Sequence, residues 1–163
     1  MAGDAMSVFY LVTESPLRPL VLVQQGDALT HCQLAEGFAL PAGARRETTL
    51  LLEEAARQLE EYFAGQRLVF TLPLSPAGTE FQRLVWAEMA RIPYGETRSY
   101  GQLAAAIGRP KAARAVGGAC NKNPLMIFLP CHRVVGSGGA LVGFAPGLRY
   151  KEALLRLESS LSV

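Results

Sequence analysis

Short apolar runs broken by turn residues open the chain. Val8–Thr13, residues 20–24 and Ala28–Leu34 are rich in β-branched and aliphatic side chains, and Ser15-Pro16 and Gly26-Asp27 separate them, a pattern that predicts an antiparallel meander of three strands. Over residues 47–64 the period lengthens. Leu51, Leu52, Ala55, Leu59, Tyr62 and Phe63 recur at helical spacing while Glu53, Glu54, Glu60 and Glu61 supply the other face, so an amphipathic helix is predicted to cover the sheet. Residues 68–72 read as a further strand, and the run from Pro73 to Gly78 as a linker.

Helical periodicity dominates beyond the linker. Thr79 can cap a helix carrying Phe81, Leu84, Val85, Met89 and Ile92, stopped by Pro93-Tyr94-Gly95. Ser99 followed by Gln102 fits a capping box, residues 103–107 give a short apolar face, and Gly108 suits the C-terminal stop. Pro110 suits the first turn of a second helix running to about Cys120, with Lys111 and Arg114 on it; the pair reads as a helix-turn-helix. A last helix is predicted over residues 148–161, with Leu154, Leu155 and Leu161 on its core face. The pattern therefore predicts an α/β protein in two domains. Residues 1–78 form a small antiparallel sheet with a covering helix, and residues 79–163 a mainly helical, winged-helix-like domain with a helix-turn-helix.

Charge sharpens that division. Residues 1–79 hold five Lys and Arg against nine Asp and Glu, a net of −4, whereas residues 80–163 hold eleven against five, a net of +6. A polyanion is the natural partner for the second part. Ala112, Ala113, Ala115, Gly117, Gly118 and Ala119 leave the second helix of the pair almost without bulk around Arg114, which lets a partner's backbone come close. No apolar run approaches the roughly 20 residues of a membrane span, and no signal-peptide pattern opens the chain, so an intracellular protein without a membrane partner is expected.

Cys32, Cys120 and Cys131 are odd in number and widely spaced, which argues against a disulfide framework or a zinc knuckle. His31 and Cys32 are adjacent on a predicted strand and point to opposite faces, the pattern of a core thiol beside a surface imidazole rather than a metal site. Cys131 is different. It stands in Ile127-Phe128-Leu129-Pro130-Cys131-His132-Arg133-Val134-Val135, between two apolar runs that read as buried strands. A thiol among apolar neighbours is inert unless a base or positive charge favours its thiolate, and His132 and Arg133 are at hand. Adjacent side chains on an extended backbone diverge, so the imidazole would act directly or through a bridging water.

From Phe81 to Glu158 the chain closely resembles the O6-alkylguanine-DNA alkyltransferases, also called methylated-DNA-protein-cysteine methyltransferases. The signature is Pro130-Cys131-His132-Arg133-Val134. It is preceded at the family's spacing by Asn123-Pro124, Arg114-Ala115-Val116-Gly117, Ser99-Tyr100 and Ile92-Pro93-Tyr94-Gly95-Glu96. Residues 1–78 resemble the family only weakly.

The resemblance implies irreversible, single-turnover repair without a cofactor or metal, in which the Cys131 sulfur takes the alkyl group from O6-alkylguanine in DNA. His132 would deprotonate the cysteine through water, Glu158 would orient His132, Tyr100 would donate to the departing base and Asn123 would brace the active-site turn. By composition alone Glu158 reads as an exposed helix-end carboxylate. Since guanine stacked in duplex cannot reach a buried thiol, the lesion must be flipped out. The resemblance implies that the second helix enters the minor groove, with Arg114 filling the space left and Lys111, Ala112, Ala113, Ala115 and Gly117 beside it. It implies a pocket of Tyr100, Met126, Val142, Gly143, Phe144 and Ala145, where many members carry tyrosine in place of Phe144 and a small polar residue or glycine in place of Ala145. A monomer is expected, in the cytoplasm, or in the nucleus of a eukaryote. The rival reading, a non-catalytic lesion-binding relative, lacks the signature cysteine that this chain has; a Cys-His hydrolase would need an oxyanion hole that the sequence does not offer.

Overall fold

The computed structural model describes residues 7–159, and the chain divides into two compact units, Met1–Pro76 and Ala77–Val163. The first is built on a four-stranded sheet in the order β3-β2-β1-β4, from β1 Val8–Thr13, β2 Leu20–Gln25, β3 Ala28–Leu34 and β4 Arg45–Arg46. β1, β2 and β3 form the antiparallel meander. The two-residue β4 adds itself parallel to β1, so the sheet is mixed rather than wholly antiparallel. Sequence patterning misses β4 because Arg45 and Arg46 are exposed and carry no apolar alternation.

Helix α1, Leu50–Phe63, packs on β1, β2 and β3. Thr49 caps it, its side chain accepting from the Leu52 amide at 3.1 Å. Leu52, Ala55, Leu59 and Tyr62 are buried with Phe9, Leu22, Val23 and Leu29 of the sheet. Cys32 is buried, while His31 is partly exposed and meets Phe38 edge-on.

The predicted strand over residues 68–72 does not form. Gln58, buried on α1, captures the segment instead: its amide donates to the Thr71 hydroxyl at 3.1 Å and its carbonyl accepts from the Thr71 amide at 3.0 Å. Leu68 and Val69 are left exposed. The chain reaches β3 only afterwards, where Leu29 donates to the Pro73 carbonyl at 2.9 Å and accepts from the Ser75 amide at 2.8 Å. A side-chain amide on a neighbouring helix has displaced the pairing by a few residues.

The second unit holds α2 Glu80–Met89, α3 Tyr100–Ala106, α4 Ala113–Asn121 and α5 Leu148–Ser159. It also holds a two-stranded parallel pair, β5 Arg98–Ser99 with β6 Val134–Val135. Capping boxes start α2 (Thr79 with Gln82) and α3 (Ser99 with Gln102). Helices α2, α3 and α4 pack on one another, and the Trp86 indole donates from α2 to the Ala119 carbonyl on α4 at 2.9 Å. Gly78 admits that indole. A Cβ there would lie 2.6 Å from the ring.

Three boundaries depart from the pattern. Helix α4 begins at Ala113, because residues 110–111 close a separate turn after Gly108, which adopts a φ of +78°. Lys111 therefore lies in the connecting turn rather than on the helix. Of the two apolar runs flanking Cys131, the first is not a strand. Residues 125–129 fold into a tight loop closed by the Leu129 amide on the Leu125 carbonyl at 2.9 Å, with Ile127 at a φ of +77°, and Cys131–Arg133 is a single 3-10 turn. Only Val134–Val135 pairs as a strand. On α5, Leu154 is buried and Leu155 half-exposed, and Leu161 lies outside the described residues. No helix among the described residues is long and apolar enough to cross a membrane.

Candidate active site

The 3-10 turn after Pro130 sets Cys131, His132 and Arg133 in the interior, all below a tenth exposed. Asn123 fixes the turn's approach. Its carbonyl accepts from the Leu125 amide at 2.9 Å, and its amide donates to the Leu129 carbonyl at 2.8 Å and to the Cys131 sulfur at 3.1 Å. One side chain thereby ties both ends of the loop to the thiol.

Glu158 is buried at 1 % exposure rather than being a solvated helix end. Its carboxylate accepts from His132 Nε2 at 2.7 Å, from Arg133 Nε at 2.8 Å and Nη2 at 2.9 Å, and from the Gly95 amide at 3.3 Å. Such a charge can be buried only when its lone pairs are satisfied in this way. Arg133 in turn donates through Nη1 to the Ile92 carbonyl at 2.7 Å. The contact with Glu158 places the imidazole proton on Nε2. Nδ1 is left as an acceptor, buried and without a hydrogen-bond partner among the described residues. Burial holds the His132 pKa below its ordinary value against the pull of Glu158, so the ring is a neutral base at pH 7.

Burial pushes the Cys131 thiol up to about 11, opposed first by the Asn123 amide and then by the charge of Lys151. At rest the sulfur is protonated. A neutral imidazole with a free nitrogen on the adjacent residue is the complement such a thiol needs. Tyr100, the first residue of α3, donates its hydroxyl to the Val142 carbonyl at 3.0 Å and the Gly143 carbonyl at 3.2 Å. Its pKa is pushed up to about 12 by burial, so it remains a donor.

A cleft of about 590 Å³ opens between α3, α4 and the loop after β6, lined among others by Tyr100, Ala113, Arg114, Gly117, Val142 and Gly143. Arg114 is exposed on α4, and Gly117 passes 3.8 Å from the Tyr100 ring when given a Cβ. Ala112 stands at the N-cap position of α4 without a side-chain cap and is partly exposed, and Ala115 is exposed. Three expected pocket residues do not line this cleft. Met126 is 1 % exposed in the core, Phe144 is buried, and Ala145 faces solvent beyond it.

Lys151 and the full role of Arg133 were not legible as site features. Lys151 is wholly buried, and its Nζ donates to the same Val142 and Gly143 carbonyls at 3.0 and 3.5 Å. A signal for it did exist: Lys151, Leu154 and Glu158 follow one another at the three- and four-residue spacing of one helix face.

Residues 8–76 match the family model described as 6-O-methylguanine DNA methyltransferase, ribonuclease-like domain, and residues 80–160 that described as 6-O-methylguanine DNA methyltransferase, DNA binding domain. The chain is 47% identical over 156 residues to a methylated-DNA–protein-cysteine methyltransferase of Methanosarcina acetivorans, covering 94% of this chain and 99% of that one. It is 45% identical over 156 residues to the constitutive methylated-DNA–protein-cysteine methyltransferase of Bacillus subtilis, covering 92% and 94%. The crystal structure of the Mycobacterium tuberculosis O6-methylguanine methyltransferase superposes with a TM-score of 0.88 at 43% identity over 96% of this chain and 95% of that one. A second structure of the Mycobacterium tuberculosis protein, in complex with DNA, gives the same score over 94% of each chain. With both units matched, the cysteine braced by Asn123 and the imidazole held by the Glu158 carboxylate inside the second, the chain belongs to the methylated-DNA–protein-cysteine methyltransferase family.

Proposed function

We propose that this protein repairs DNA by moving the alkyl group of O6-alkylguanine onto the sulfur of Cys131, once per molecule. The observation that carries the reading is a buried thiol, held by Asn123, next along the chain to a neutral His132 whose Nε2 is engaged by Glu158 and whose Nδ1 is uncommitted. The thiol proton passes to Nδ1, directly or through water. The thiolate attacks the alkyl carbon, the S–C bond forms as the C–O6 bond breaks, and the bonding pair leaves on guanine. Tyr100, kept protonated, turns its hydroxyl from the Val142 and Gly143 carbonyls to the base and meets the developing negative charge. The thioether product has no ionisable proton and no hydrolysable bond, so the site is spent.

Double-stranded DNA is the partner, in keeping with the net +6 of residues 80–163 and the DNA-bound relative. In this reading α4 lies in the minor groove, its small residues allow close approach, Arg114 occupies the stack vacated by the flipped nucleotide, and one monomer serves one lesion. The work is done where the cell keeps its DNA, the cytoplasm where there is no nucleus. A purely lesion-binding role is not favoured, since the acceptor cysteine is present and braced.

The test is mass spectrometry after incubation with excess O6-methylguanine duplex. One methyl group per protein, on the peptide of residues 123–133, is expected. Repeated turnover, or methyl confined to Cys32 or Cys120, would refute the proposal.

A further inference from the structure

All three nitrogens of the Arg133 guanidinium are engaged. Nε donates to Glu158 Oε1 at 2.8 Å, Nη2 to Oε2 at 2.9 Å and Nη1 to the Ile92 carbonyl at 2.7 Å. The guanidinium thus meets both carboxylate oxygens side-on, the bidentate geometry suited to a planar and permanently charged donor. Oε2 is shared, since it also accepts from His132 Nε2 at 2.7 Å, and Oε1 accepts from the Gly95 amide at 3.3 Å. Arginine, carboxylate and imidazole are all buried, and the centre of the Tyr94 ring lies 5.7 Å from Arg133 Cζ.

A carboxylate bonded to a buried imidazole favours the imidazolium, because opposite charges at this distance stabilise each other where water is excluded. An imidazolium cannot take a proton from Cys131. A cation closed on the same carboxylate weakens that pull, since Glu158 and Arg133 together present no net charge to the ring. The titratable and charged groups that face His132 are Glu158 and Lys151 from α5, and Cys131 and Arg133 from its own turn. Tyr94, from the segment after α2, stands beside Arg133 and Glu158.

We propose that Arg133 is a positioning residue for the base: by closing on both oxygens of Glu158, it lets the carboxylate orient His132 without drawing a proton onto the ring. The inference rests on the alkyl-transfer reading and deepens it, since it states how a base held by a carboxylate still meets the thiol neutral. Arg133 acts through Glu158 and gives up no proton. Burial, the largest influence on the imidazole, and the charges of Arg133 and Lys151 all favour the neutral ring, and the Glu158 bond acts against them. Without Arg133 the full charge of Glu158 acts on His132, its pKa rises, and the ring is protonated over a range of pH in which the wild type is neutral. The acid limb of methyl transfer then moves to higher pH.

The experiment compares wild type with Arg133→Lys, Arg133→Gln and Arg133→Met, each checked for native circular dichroism. Two readouts are followed across a range of pH: single-turnover methyl transfer from O6-methylguanine duplex, and the nitrogen NMR signals of the imidazoles. The chain has two histidines, so His31→Gln assigns the signals of His132. Wild type should show a neutral His132 at pH 7 with its proton on Nε2. Both charge-free variants should raise the His132 titration and the acid limb by about one pH unit, so that methyl transfer is slowed about tenfold on the acid side and regained as pH rises. Arg133→Lys should return most of the shift, because the charge remains. An unmoved limb in Arg133→Gln would overturn the inference, as would slowing by one factor at every pH, the mark of a merely structural bridge. An imidazolium at pH 7 in wild type would overturn it without any variant. Should one charge-free variant fail to fold, the other serves, since glutamine keeps a donor for Glu158 and methionine keeps an apolar stem. Wild type that accepts no methyl would instead refute the alkyl-transfer reading and leave the NMR comparison standing.

Discussion

At the scale of single residues, Glu158 bears the most consequences. It is the common acceptor for His132 and Arg133, both buried with it, and for the Gly95 amide. Removing it strands the Arg133 charge and lets the imidazole turn. Glu158→Ala should therefore cost about 3–5 kcal/mol of stability, the usual penalty for orphaning a buried charge, read as a fall in the urea midpoint. Methyl transfer by the folded fraction should drop by about a hundredfold or more, as when a general base is lost. A stable variant with full activity would remove Glu158 from the chain of groups behind Cys131. The sequence had Glu158 as either an exposed helix end or a buried orienter, and only its three-dimensional neighbours separate the two.

At the scale of elements, α3, its turn and α4 are the part best read in advance. The Ser99–Gln102 capping box forms, and Gly108 takes the left-handed conformation that ends a helix. The start of α4 was misplaced because Pro110 fits a first helical turn and an isolated turn equally well. The consequence is local: Lys111 sits in the turn, while Arg114 remains on the exposed part of α4 beside the cleft. Arg114→Ala should impair methyl transfer from duplex much more than attack on free O6-benzylguanine, measured as the ratio of the two single-turnover rates. Equal losses would deny Arg114 a role in extruding the base. The missing strand at residues 68–72 teaches the converse. Its apolar composition was adequate, but Gln58, a polar residue on α1, took its hydrogen bonds.

At the scale of the whole molecule, the chain is two compact units with opposite net charge, and the acceptor lies in the basic one. The thiol is buried and already accepts a hydrogen bond from Asn123. Alkylation adds volume to a close-packed site and weakens the sulfur as an acceptor. Overpacking of this kind costs about 1–3 kcal/mol. The alkylated protein should accordingly melt several degrees below the unmodified one by calorimetry, with a benzyl adduct lower than a methyl adduct. Unchanged melting would mean that the loop of residues 125–129 absorbs the group without strain.

The sequence by itself determined the meander, the five helices to within a few residues, the family and the identity of Cys131, His132, Tyr100, Asn123 and Arg114 as candidates. These are carried by local periodicity, capping residues and a contiguous signature, all of which act over a few positions along the chain. Only the tertiary structure decided that His132 Nε2 faces Glu158 across 26 residues, that Phe144 and Met126 are buried, and that Lys151 is buried beside the Tyr100 ring with its ammonium on the Val142 and Gly143 carbonyls. The physical reason is the same in each case. Whether a polar group is solvated, paired or left facing a thiol depends on what distant segments bring within about 3–6 Å of it, and short-range pattern carries no record of that distance.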